Sequence, residues 1–372
     1  MTRVAITGGF GFLGWHLACR LRAKHGIEPL RVGRDDYADP ARLARSLADV
    51  DVVLHVAGVN RAHTDAEVEQ GNVSLARTLV GALPADRPVD LVYANSVQAE
   101  LDNAYGRGKA GAADLLADAV HARGGRFQDL LLPNIFGEHG RPHHNSFVAT
   151  FVHEVACGGT PSVTNDREIP LLHAQEAAAL LIAAMGDDGR TVVSGEPHSI
   201  SEVAELLERT HRLYATRGEV PPLTSSFELN LFNTYRAATF PQLWPMGSQV
   251  HADQRGRLFE TVRSHGGTGM AYASTTLPGQ KRGEHYHLHK MERFVVVAGD
   301  AEIEVRRLLH DEVVTFRLSG DRPEFVDMPT LWVHNIRNVG DTELVTVFWS
   351  DQLLGPNDPD QYPELVAGED LP

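Results

Sequence analysis

Cysteine is nearly missing from this chain: Cys19 and Cys157 are the two in 372 residues. Two are too few for a disulfide framework, and they point to a reducing compartment, with the cytoplasm as the expected location. The sequence has no apolar run of the roughly 18 residues that a membrane-spanning helix needs, so no membrane is expected as a partner. The opening MTRVAITGG has neither the apolar core nor the cleavage site of a secretory signal, and reads as a strand running into a turn. Positive charge is short as well: 34 Lys and Arg stand against 49 Asp and Glu, a formal net charge of −15. Such a surface repels a phosphate backbone, which argues against a nucleic-acid partner. Internal repeats and low-complexity segments are absent.

What remains is an ordinary globular composition, 42% hydrophobic and 22% charged, on a chain long enough for two domains. The first half alternates β-branched runs with helical stretches: VAIT (4–7), PLRVGR (29–34), VDVVLHVAG (50–58), VDLVYANS (89–96) and a strand over Leu130–Ile135. That alternation predicts right-handed βαβ units and a doubly wound parallel sheet. A helix is expected over Ser199–Leu213, opened by Ser199 with Glu202 at capping-box spacing. After FPQLWPMGSQ (240–249) the helical period stops, and short alternating strands such as GMAYASTTL, EVVTFRLSG and LVTVFWS follow. They predict an all-β barrel or sandwich, and the expected domains are 1–244 and 245–372.

The segment TGGFGFLG places Gly8, Gly11 and Gly14 between the first strand and a helix. This is a dinucleotide loop: a tight turn, a close backbone approach to the pyrophosphate, and a helix N-terminus facing it through Phe12 and Leu13. At the end of the second strand Arg34 stands about where an NAD-binding protein carries an acid, although Asp35 and Asp36 follow it. A guanidinium suits a 2′-phosphate, so NADP(H) is the expected cofactor. Tyr105 and Lys109 share a helix face at i, i+4, after a strand that ends in Ser96. An ammonium near a phenol lowers the phenol's pKa from about 10 and makes it a proton donor at neutral pH.

By T7-GGFGFL-G14, Ala57-Gly58, Asn72, Ser96, Tyr105-GRG-Lys109 and Pro133-NIFG137, residues 1 to about 240 resemble an extended short-chain dehydrogenase/reductase. The resemblance implies that Ser96, Tyr105 and Lys109 are the catalytic set, that Ala57, Gly58 and Lys109 join the cofactor site, and that the substrate is a nucleotide-linked sugar. Two departures bear on the pocket: a short gap from Ser96 to Tyr105, and LLHAQEAA (171–178) in place of a more acidic turn. Asn60, Gln98, Asn134, His143 and Asn145 are the candidate pocket residues.

Histidine is abundant, 19 in all, and densest near residue 285. In GEHYHLHKME, His285 and His287 point to the same side of a strand, Glu292 follows across a turn, and His334 begins a later strand. Three imidazoles and a carboxylate suit a divalent metal such as Zn, Fe, Mn or Ni, with zinc the expectation. His289 and Lys290, in the loop between ligands, are candidate bases. The spacing resembles the cupin signature, except that Leu331 stands where that signature usually has glycine.

A reductase followed by a cupin resembles the bifunctional capsular-polysaccharide enzymes of the CapF type, on segments that include HVAGVNR (55–61), PNIFGEHGRPHHNS (133–146), DQRGRLFE (253–260) and HNIRNVGDTELVTVFW (334–349). The resemblance implies a homodimer acting on a UDP-linked 2-acetamido-2,6-dideoxy-4-ketohexose. The cupin would invert C3 and the reductase would then convert the C4 ketone with NADPH, on the way to UDP-N-acetyl-L-fucosamine. Two other readings stay open: a 4-ketoreductase of another deoxysugar pathway with a purely structural cupin, and a non-enzymatic NADP- or sugar-sensing protein.

Overall fold

The computed structural model describes residues 2–353, 355 and 359–367. The chain folds as two compact units, one of Met1–Phe136, His143–Phe147 and Asp166–Ile200, the other of Gly137–Pro142, Val148–Asn165 and Ser201–Pro372.

The first unit opens with β1 (Val4–Thr7), α1 (Phe12–His25), β2 (Leu30–Val32), α2 (Arg34–Ala38), α3 (Pro40–Leu47) and β3 (Val52–His55). It continues through α4 (Asp65–Ala82), β4 (Asp90–Ser96), α5 (Ala104–His121), β5 (Phe127–Leu132) and β6 (Asn134–Phe136). After α6 (Phe147–Ala156), which belongs to the other unit from Val148 onward, come β7 (Glu168–His173), α7 (Ala174–Ala183), β8 (Gly189–Val192) and β9 (Glu196–Ser199). Six strands form one parallel sheet in the order β2-β1-β3-β4-β5-β8. β1, β3 and β5 are buried along their whole length, which is why they read as continuous apolar runs and not as alternation. The doubly wound sheet expected from the sequence is therefore present. Pro133, which has no N–H to give a ladder, divides the expected strand at 130–135 into β5 and β6. On one face Leu79 of α4 and Leu116 of α5 join Val53, Leu91 and Tyr93 in a single buried cluster. The α4 end is set by a capping box: Thr64 Oγ1 accepts from Glu67 N (3.2 Å), and Glu67 accepts from Thr64 N (3.0 Å).

The second unit holds α8 (Ile200–Thr210) from Ser201 on, a π-helical turn at His211–Ala215, and α9 (Ser226–Thr239). Short strands follow: β10 (Met246–Gly247), β11 (Val250–Asp253), β12 (Gly256–Phe259), β13 (Met270–Thr276), β14 (Lys281–Tyr286) and β15 (Glu292–Ala298). The remainder are β16 (Asp300–Arg307), β17 (Val313–Ser319), β18 (Glu324–Met328), β19 (Trp332–Asn338), β20 (Leu344–Ser350) and β21 (Tyr362–Pro363). They form two five-stranded antiparallel sheets, β10-β18-β15-β20-β13 and β17-β16-β19-β14-β21, with β11 and β12 as a separate hairpin. The all-β C-terminal part is as expected.

The second compact unit includes Ser201–Pro372. Residues 201–244 pack with the β-sheets, because their buried polar groups find partners there. Tyr214 donates to Asp327 (2.8 Å), Asn233 donates to the His289 carbonyl (2.8 Å), and Arg236 donates to the Met328 carbonyl. Asp327 in turn holds the fully buried Arg293 through two bonds of 2.7 and 2.9 Å. Separating residues 201–244 from the sheets would take these partners from Tyr214, Asn233 and Arg236, at about 1–3 kcal/mol each.

Candidate active site and metal centre

The dinucleotide loop has the close approaches that its glycines imply. Gly8 adopts φ 71°, and a Cβ there would lie 2.9 Å from Ala57 N. A Cβ on Gly14 would meet Gly8 O at 2.2 Å, so α1 rests directly on the loop. Gly11 caps α1 without a side-chain bond, leaving the amides of the first turn to face an anion. Asn72 fixes the turn after β3, accepting from Val59 N (3.1 Å) and donating to Val59 O (2.8 Å), which holds Ala57 and Gly58 beside Gly8. Arg34 is exposed at the start of α2. The Asp36 carboxylate is committed elsewhere, accepting from Gly33 N (2.8 Å) and pairing with Arg42 (2.9 Å).

Ser96 ends β4 and its hydroxyl accepts from Gln98 N (3.2 Å). Asn103 caps α5 by accepting from Gly106 N (2.8 Å), which sets Tyr105 in the first turn beside Ser96. One turn on, Lys109 is buried, donates to the Ala94 carbonyl (2.7 Å) and lies 3.9 Å from the Tyr93 ring centroid. His55 stacks on the same ring at 5.2 Å and shares a hydrogen bond with Thr7 (2.5 Å).

The electrostatics differ from the expectation that the ammonium would lower the phenol. Burial pushes Tyr105 up to about 12, against the pull of its Ser96 hydrogen bond. Burial also takes Lys109 down to about 7, with the Asp129 carboxylate acting the other way. The cation meant to lower the phenol is thus only partly charged at neutral pH. His55 falls to about 3 through burial and then through Lys109, so it is a neutral ring. Tyr93, His55 and Asp129 were not singled out from the sequence. A carboxylate inside the apolar strand FQDLLL was the one signal available, and Asp129 is buried and paired with Arg190 at 2.8 Å.

The candidate pocket residues Asn60, Gln98, Asn134, His143 and Asn145 are all exposed. Asn60 follows β3, Gln98 follows β4 and Asn134 begins β6, at the carboxyl ends of the strands, where ligands of such sheets bind. His143 and Asn145 adopt φ of 56° and 67°, and Arg61 donates to the His143 carbonyl (3.0 Å).

In the second unit, His285, His287, Glu292 and His334 converge, with one ligand atom from each lying within 4.8 Å of all the others. His285 on β14 sits opposite His334 on β19 in register, and Glu292 begins β15. Glu292 Oε2 lies 3.7, 3.0 and 3.5 Å from the Nε2 atoms of His285, His287 and His334. His287 and His334 turn Nδ1 to the carbonyls of Asp360 (2.5 Å) and Trp332 (3.0 Å), so Nε2 is the atom each presents inward. All three Nε2 atoms are buried without a hydrogen-bond partner. Burial would raise Glu292, yet the surrounding histidines hold it well below the usual carboxylate range, while burial lowers His334 to about 4. Three inward-facing imidazole Nε2 atoms beside an ionised carboxylate fit a divalent metal.

Leu331 occupies the position where the cupin signature has glycine, and its φ of 64° is the left-handed conformation that glycine would take freely. Its side chain is buried and its N–H donates to the His287 carbonyl (2.7 Å), so the turn survives and His334 keeps its place. Lys290 is buried with Nζ 3.1 Å from Glu292 Oε1, to which Tyr272 also donates (3.3 Å). His289 is half-buried.

Residues 4–195 match the family described as the NAD dependent epimerase/dehydratase family, and residues 251–362 match the polysaccharide biosynthesis C-terminal domain. A UDP-2-acetamido-2,6-beta-L-arabino-hexul-4-ose reductase of Pseudomonas aeruginosa is 31% identical, over 97% of this chain and 98% of that protein. The capsular polysaccharide assembling protein CapF of Staphylococcus aureus matches in structure with a TM-score of 0.64 and 29% identity, over 98% of this chain and 100% of that one. A dTDP-6-deoxy-L-talose 4-dehydrogenase (NAD(P)(+)) of Kitasatospora kifunensis is 31% identical over 38% of this chain and 55% of its own length. On a doubly wound Ser–Tyr–Lys unit, an antiparallel β unit with a His–Glu cluster, and similarity over nearly the whole length, this chain belongs to the NAD dependent epimerase/dehydratase family, among the two-part enzymes of the CapF type.

Proposed function

We propose that the chain is a bifunctional nucleotide-sugar enzyme, with NADPH-dependent reduction of a C4 ketone in residues 1–244 and epimerisation at C3 in the cupin, residues 245–372. The substrate is a UDP-linked 2-acetamido-2,6-dideoxy-4-ketohexose and the product a UDP-N-acetyl-6-deoxy-talosamine-type sugar, an intermediate toward UDP-N-acetyl-L-fucosamine for capsule polysaccharide. The observation that carries this reading is the presence on one chain of the Ser96–Tyr105–Lys109 set and the four-residue cluster His285, His287, Glu292 and His334.

One ketone makes both steps coherent. It acidifies the C3 proton, which a base removes before a proton derived from solvent is delivered to the opposite face. His285, His287, Glu292 and His334 would hold a divalent ion, zinc by its donor set, which would supply Lewis-acid stabilisation at the ketone oxygen. The candidate bases are His289, which keeps partial exposure, and Lys290, whose Nζ lies 3.1 Å from Glu292 Oε1. In the reductase, bound NADPH would supply the hydride to C4, while Tyr105 donates the proton to the C4 oxygen and Ser96 orients that oxygen. Arg34 takes the 2′-phosphate, its neighbour Asp36 being tied to Gly33 and Arg42. Lys109 returns the proton taken from Tyr105 when charged. Asn60, Gln98, Asn134, His143 and Asn145 line the sugar side. The protein acts as a cytoplasmic homodimer; no helix among the described residues is long and apolar enough to cross a membrane.

The test is NADPH oxidation with the UDP-4-keto sugar by wild type and Tyr105→Phe. Turnover lost in the variant, with NADPH still bound, supports the reading; equal turnover overturns it.

A further inference from the structure

We propose that Asp360, 73 residues beyond His287 in the sequence, is a positioning residue that builds the metal centre. This rests on reading His285, His287, Glu292 and His334 as metal ligands. Asp360 meets the centre in two ways. Its main-chain carbonyl accepts from His287 Nδ1 (2.5 Å), which fixes the tautomer and aims Nε2 at the cluster. Its carboxylate accepts from three successive amides, Leu288 N (3.1 Å), His289 N (2.9 Å) and Lys290 N (2.8 Å). Those amides form the turn that joins His287 to Glu292. One residue thereby sets the orientation of one ligand and the spacing of two.

The flanking chain holds Asp360 in place. β21 pairs with β14 at the ligand itself, with Tyr362 opposite Tyr286 and Pro363 opposite His285. Glu364 N donates to the Glu284 carbonyl (2.9 Å) and Val366 N to the Glu284 carboxylate (2.7 Å). Arg306 then gathers the Val366 carbonyl (2.6 Å), the Leu365 carbonyl (2.8 Å) and the Glu364 carboxylate (2.8 Å). Residues 360–366 are thus a strap laid along the His285 strand, and Asp360 is the point where the strap grips the ligand turn. Asp360 itself adopts φ 43°, a conformation that asparagine tolerates better than most residues.

The experiment uses the full chain and measures Zn(II) affinity by competition with a chromogenic chelator, together with the visible spectrum of the Co(II)-loaded protein. Asp360→Ala is expected to weaken Zn(II) binding by about 10–100-fold and to change the Co(II) spectrum at saturation. Asp360→Asn, which retains an acceptor oxygen, is expected to lose less on both readouts, and NADPH binding stays unchanged in each. Wild-type Zn(II) affinity and an unaltered Co(II) spectrum in folded Asp360→Ala overturn the proposal. If that variant does not fold, the same result in Asp360→Asn overturns it. Should His285→Ala and Glu292→Gln bind Zn(II) as tightly as wild type, the ligand reading itself falls, a result distinct from failure at Asp360 alone.

Discussion

The Lys109 ammonium rests 3.9 Å from the centroid of the Tyr93 ring, in a site where burial lowers its pKa to about 7. In the unfolded chain the same group titrates near 10.5. Below pH 7 both states carry the proton, and the folded state bears the full cost of the buried cation. Between about 7 and 10.5 the unfolded chain binds more protons, so this group's contribution to stability rises with pH. Lys109→Met removes the slope. Urea unfolding of the cofactor-free protein at several pH values should show the variant gaining on wild type as pH falls toward 7; a pH-independent difference contradicts the assignment.

Tyr105→Phe should lower reductive turnover by about 10²–10⁴-fold while NADPH binding stays within a few-fold of wild type. Fluorescence titration of the cofactor separates the two effects.

Arg34→Ala should weaken NADPH by about 10–100-fold and leave NADH little changed, because a charged hydrogen bond to the 2′-phosphate is lost. Equal losses for both cofactors would place Arg34 away from that phosphate.

Asp327→Asn leaves the fully buried Arg293 without a counter-charge and takes an anionic acceptor from Tyr214. Breaking such a pair costs about 3–5 kcal/mol, so denaturant unfolding should show a loss of that size. A loss below about 1 kcal/mol would contradict the pairing.

Leu331→Gly relieves a left-handed leucine, worth about 1–2 kcal/mol, and removes a buried side chain worth more. The expected outcome is a net destabilisation of about 1–3 kcal/mol with Zn(II) affinity preserved, since the bond from residue 331 N to the His287 carbonyl remains. A more stable variant would mean that backbone strain outweighs packing there.

Much of both candidate sites was legible because their residues are local in sequence. The Gly8–Gly14 loop, the Tyr105–Lys109 spacing and the His285–His287–Glu292 run each lie within one turn or hairpin. Asp360 and the pair of Tyr93 and His55 were illegible because they act through space on groups far along the chain. The packing of residues 201–244 was hidden for a different reason. An amphipathic helix looks the same whichever sheet it covers, and only Tyr214, Asn233 and Arg236 reveal the choice. The raised Tyr105 escaped too, since spacing reports a neighbouring charge and not the burial that outweighs it.

The central claim is that one 4-keto sugar is epimerised by the β unit and reduced by the α/β unit. Its most direct test is NMR of the product formed from a UDP-4-keto-6-deoxy-N-acetylhexosamine with NADPH in deuterated water. Deuterium at C3 together with a C4 alcohol and oxidised NADPH is the predicted result, with Glu292→Gln losing the deuterium. A C4 alcohol formed by wild type without deuterium at C3 would contradict the claim and leave a reductase with a structural cupin.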